Sequence, residues 1–118
     1  LDLSHQLATH LVTCLTTHRN TEIQLESARV LGNLTRIESV RRKLISTYGA
    51  DLLVDLLKHE QWDVVSAVAG VMVNLSADSE CKQALLGSKA LVPLYWLLHK
   101  VGLEDPELST LICQVRIC

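Results

Sequence analysis

Residues 27–35, SARVLGNLT, come back 41 positions later as residues 68–76, VAGVMVNLS. Ala28 recurs as Ala69, Val30 as Val71, Asn33 as Asn74 and Leu34 as Leu75. The same offset pairs Leu44 with Leu85, Leu53 with Leu94, Leu56 with Leu97 and Leu57 with Leu98, which makes eight identities between 22–59 and 63–100. Nearly all fall where a helix would turn inward. A fixed period near 40 residues in helix-forming sequence marks stacked helical units, each burying its apolar face against the next. Such arrays present a long surface and rarely carry chemistry. The expected fold is all-α.

Composition narrows the partners. Of the 118 residues, 48% are hydrophobic but only 3% aromatic, with no Phe, so Leu, Val, Ile and Ala must fill the core. That mix suits helix packing better than a β-sandwich. A net charge of −2 gives no global pull toward nucleic acid or anionic lipid. The longest apolar run, 90–98, falls far short of the roughly 20 residues of a membrane span. Cys14, Cys81, Cys113 and Cys118 are scattered and form no C-x-x-C pair, so reduced thiols of a cytosolic protein are expected. The chain does not begin with Met and shows no signal pattern. Leu1 and Leu3 read like the inside of a helical layer, so an excerpt of a longer array is expected.

Apolar spacing and capping residues divide the chain further. A helix over about 4–18 turns Leu7, Leu11, Val12 and Leu15 to one face. Thr21 with Gln24 fits a capping box opening a helix over about 22–35, with Ile23, Ala28, Val30, Leu31 and Leu34 inward. A short helix over 38–47 ends at Tyr48-Gly49, where glycine supplies a positive φ. Residues 50–59 carry Leu52, Leu53, Leu56 and Leu57 inward, and 63–76 is the valine-rich return of the opening motif. Asp78 or Ser79 caps a second short helix to Gly87. A helix over 89–100 follows, and Asp105-Pro106 starts the last one.

One short and two long helices per unit, with Gly49 after the short one, Leu56-Leu57 and Leu97-Leu98 near the end of the second and Asn33-Leu34 and Asn74-Leu75 closing the third, resemble the armadillo repeat. The resemblance covers essentially the whole chain and implies a right-handed α-solenoid: a partial repeat over 4–35, a complete one over 38–76 and a third over 79–118. HEAT repeats, with two helices per unit, lack the extra short helix. ESARVLGNL (26–34), AVAGVMVNLS (67–76) and LEDPELSTLICQV (103–115) look like a group within the family whose members are linked to building motile cilia and flagella. The chain departs from that group's Leu-Trp-Asn-type ending, with Arg116-Ile117-Cys118 in its place.

The resemblance also implies where function sits. Third helices of armadillo arrays line a concave groove that holds an extended peptide or a helix of another protein. Asn33 and Asn74 take the places whose amides can bond a peptide backbone. Helical spacing sets Arg29, Glu26 and Glu22 beside Asn33, Gly70, Ala67, Ser66 and Asp63 beside Asn74, and Arg36 at the mouth. Either Asn could instead satisfy neighbouring helix-end groups. Nuclear-import members place Trp four residues before the groove Asn, where this chain has Arg29 and Gly70, so a receptor for basic localisation signals is not expected. Trp62 and Trp96 are expected to pack between layers.

The basic run Arg41-Arg42-Lys43, with Arg36 nearby, offers an alternative contact for RNA or an acidic partner over 36–43, but no aromatics interleave for base stacking. His10 and Cys14 share a helix face, yet two ligands make no metal site. No phosphate loop, nucleophile elbow or H-E-x-x-H is present. The sequence therefore predicts a non-enzymatic scaffold with a protein partner. It needs no cofactor, metal or small-molecule substrate, and is cytoplasmic or ciliary. The alternative is a structural segment of a longer solenoid.

Overall fold

The computed structural model describes residues 3–88, and every described element is helical. In order these are α1 (Leu3–Thr17), α2 (Thr21–Leu34), α3 (Glu38–Asp55) with a 3-10 turn at Leu56–Lys58, α4 (Trp62–Ser76) and α5 (Ser79–Leu86). The expected helices over 89–100 and from Asp105-Pro106, together with Trp96, Cys113 and the ending 116–118, lie outside the described residues.

Local chemistry sets the breaks. Inside α3, Gly49 adopts φ 79°, ψ 159°, a conformation open to glycine but strained for a side chain, so two helical pieces meet there at a kink. The expected end of the short helix is therefore a bend without a loop. Asp78 is the cap of α5, its Oδ1 accepting from the Glu80 amide at 3.0 Å. The expected Thr21/Gln24 capping box does not form. Asn20 is extended, and its Oδ1 accepts from the amides of Glu22 (2.9 Å) and Ile23 (3.2 Å). Thr21 is thereby already helical. Gln24 reaches outward instead: its Nε2 donates to the His18 carbonyl at 2.7 Å, and its Oε1 meets His59 Nε2 at 2.6 Å.

The core is aliphatic. Ala8, Val12, Ala28, Leu31, Val40, Leu44, Leu53, Val65, Met72 and Leu75 are all essentially inaccessible. α1 packs on α2, α2 on α4, α3 on both α1 and α5, and α4 on α5. The Tyr48 hydroxyl donates to the Thr9 carbonyl at 3.1 Å and ties α3 to α1.

Several expected core positions are open. Leu7, Ile23, Val30 and Leu52 are each exposed by 38% or more, as is Trp62, which was expected to pack between layers. The repeat itself explains two of them. Val64 and Val71, one period beyond Ile23 and Val30, are each 1% exposed because α4 lies against α2. The matching face of α2 has no equivalent neighbour among the described residues.

Candidate protein-interaction groove

The two asparagine-bearing helices, α2 and α4, run beside each other, and a groove of about 540 Å³ lies between them. Arg29, Asn33 and Arg36 line it from one side, Gly70 and Asn74 from the other, with Ala28, Gly32, Ala67 and Val73 completing the walls. Glycine keeps the walls low: at Gly32 and at Gly70 a Cβ would meet nothing within 4 Å.

The two asparagines differ in state. Asn74 is half-buried, and its Nδ2 donates to the Gly32 carbonyl at 2.7 Å and to Thr35 Oγ1 at 3.1 Å. Its amide thus fastens α4 to the end of α2, while its Oδ1 has no partner among the described residues. Asn33 is exposed, and its side chain makes no hydrogen bond among the described residues, leaving donor and acceptor both available. Thr35 completes the fastening: buried, it donates to the carbonyls of Leu31 (2.9 Å) and Gly32 (3.1 Å). Sequence reasoning missed this role. The signal was present in the repeat, because Ser76 stands one period after Thr35 and donates to the Val73 carbonyl, the counterpart of Gly32, at 2.7 Å.

The groove's charge is positive. Arg29 holds Glu26 at 2.7 Å, but both side chains are more than half exposed, so the pair is weak. The exposed Arg36 guanidinium makes no ion pair or hydrogen bond among the described residues. Glu22 and Glu26 do not line this groove. They border a separate hollow of about 360 Å³ with Leu11, Ile23 and Val30. Ser66, half-buried, and Asp63, exposed, lie in the first turns of α4 away from the groove.

The basic run is largely engaged by the protein itself. Arg41 Nη1 donates to the carbonyls of Thr35 and Arg36, each at 3.0 Å, and so closes the end of α2. Arg42 pairs with Glu38 at 2.8 Å, Asp78 at 3.3 Å and Glu80 at 3.8 Å. Burial alone would push the Asp78 carboxyl up. The Glu80 amide and the Arg42 guanidinium outweigh it and hold the carboxyl below its ordinary range. The Asp78 hydrogen bond, with Glu80 and Glu38 beside it, raises Arg42 in turn. Of the three consecutive cations, Lys43 alone has no such tie among the described residues.

Cys81 is 1% exposed, and burial pushes its thiol up, which makes it an unreactive core residue. Among the described residues, no three His, Cys, Asp or Glu side chains are placed to share a metal, and no helix is long and apolar enough to cross a membrane.

Comparison with known proteins agrees with this architecture. Residues 5–112 match the pattern of the family described as Armadillo-like. Armadillo repeat-containing protein 2 of Mus musculus is 30% identical over 95 residues, covering 80% of this chain and 11% of the mouse protein. The Homo sapiens and Bos taurus proteins of the same name are 27% and 26% identical over 90 residues, 76% of this chain and 10% of each relative. The chain therefore spans about a tenth of the length of these relatives. No solved structure matches it significantly.

Proposed function

This chain belongs to the armadillo-like family, and on that premise we propose that it is a non-enzymatic interaction module holding an extended segment of another protein between α2 and α4. The observation that carries the proposal is the open groove that gathers Asn33, Asn74, Arg29, Arg36 and Gly70 from two helices a full period apart. Low glycine walls let a partner backbone approach, and Asn33 offers that backbone a donor and an acceptor. Glu22, Glu26, Ser66 and Asp63 are not among the groove's lining residues, and the proposed contact set leaves them out. The partner we infer is a component of cilium or flagellum assembly or transport, met in the cytoplasm or the cilium. A tagged chain that never meets axonemal proteins during ciliogenesis would remove that setting.

Gly70→Leu tests the groove. The new side chain has room at its Cβ and favours the helix, so the fold survives while the groove fills. Peptides selected from a random library against the chain are expected to lose affinity for Gly70→Leu at unchanged circular dichroism. Equal affinity for both proteins would refute groove binding.

A second reading is favoured by Ile23 and Val30. Their counterparts Val64 and Val71, on the helix that packs against α2, are buried, whereas Ile23 and Val30 are open. On this reading the chain is a segment of a longer array and the hollow beside Leu11 receives another repeat. Ile23→Lys with Val30→Lys would then leave this chain's stability unchanged and weaken the longer array that contains it. A large loss in this chain alone would contradict that role.

A further inference from the structure

We propose that the segment read by this groove is acidic, with two carboxylates meeting Arg29 and Arg36. The inference rests on the groove reading above and adds the chemistry of the partner. Arg29 lies in α2 and Arg36 in the turn just after its end, seven residues on, so both line the same wall with their backbones on the order of 10 Å apart. With the reach of two long guanidinium side chains, that separation suits carboxylates two or four residues apart, on one face of an extended strand. Among the described residues, the groove's lining contains these two cations and no anion.

Neither cation has a buried partner among the described residues. Arg36 has no partner among the described residues, and Arg29 holds only the exposed Glu26, which a better-placed carboxylate can displace. The contrast with Arg41 and Arg42 is direct, since both are held by helix-end carbonyls or by a carboxylate cluster. Arginine also suits the task, presenting paired N–H donors to a carboxylate. Between the cations, Asn33 bonds the partner backbone, and the free Oδ1 of Asn74 accepts from one backbone N–H on the opposite wall.

Fluorescein-labelled peptides of about ten residues, roughly 33 Å when extended, alternate Ser with Glu, Lys or Gln and are titrated by anisotropy against the full chain. The Glu peptide is expected to bind about tenfold or more tighter than the Lys and Gln peptides, with the difference shrinking as salt rises. Arg29→Glu with Arg36→Glu is expected to invert the order, and Gly70→Leu to abolish binding of the Glu peptide. If the Gln peptide binds as tightly as the Glu peptide and Gly70→Leu releases both, the acidic partner is wrong while the groove stands. If the Glu peptide binds Gly70→Leu as well as wild type, or binds no protein at all, the acidic assignment is overturned. Release of the Glu peptide by Lys43→Glu alone would move the acidic contact to α3 and overturn it equally.

Discussion

At the scale of single residues, Asn74 and Asp78 do the most joining. Asn74 links α4 to the last turn of α2 through Gly32 and Thr35. Asn74→Ala removes both bonds, and urea unfolding is expected to show a loss of about 1–3 kcal/mol. Asn33→Ala removes no such bond and is expected to leave the midpoint unchanged, so the pair separates structural from binding roles. Asp78 predicts a pH dependence. Its folded carboxyl sits below its unfolded value, so its contribution is complete above about pH 4, the ordinary carboxylate range, and is lost as pH falls through the lower folded value. Asp78→Asn, which keeps a capping side chain, is expected to flatten the acid limb of stability against pH. An unchanged acid limb would show that other carboxylates control it.

At the scale of helices, the punctuation is sharpest at Gly49. Its φ of 79° with ψ 159° makes Gly49→Ala costly by about 1–3 kcal/mol, although nothing crowds the new methyl group. A thermal melt that does not move would mean the kink relaxes freely. This element was legible from sequence, because a glycine after an amphipathic stretch is a strong stop signal. The cap of α5, left open between Asp78 and Ser79 in the sequence, was legible for a similar local reason, and Asp78 takes it. What stayed hidden depends on neighbours. Asn20 rather than Thr21 is the cap, and Gln24 bonds His18 and His59, the latter a contact across 35 residues. Ile23 and Val30 show perfect inward spacing yet lie open, since apolar periodicity marks every face a stack uses, including the one toward the next unit. Arg41 and Arg42 look like a free basic patch in sequence. Only the fold brings helix-end carbonyls, Asp78 and Glu80 to them.

At the scale of the whole molecule, the repeat does two things with one motif. The positions it repeats, Ala28 with Ala69 and Leu34 with Leu75, lie in or against the core. Its mismatches, Arg29 against Gly70 and Gly32 against Val73, shape and charge the space between them. The candidate site was legible in part. The sequence offered Asn33, Asn74, Arg29, Arg36 and Gly70, which the fold gathers in one groove, whereas Glu22 and Glu26 border a different hollow. Helical spacing puts residues on one stripe but does not say how far along it a neighbouring helix stays close. The most direct test is chemical-shift mapping of the isotope-labelled chain with a bound acidic peptide. Changes are expected at the amides of Gly32 and Gly70 and at the side-chain amide of Asn33. Changes confined to α3 and α5, with those three signals fixed, would contradict the groove between α2 and α4.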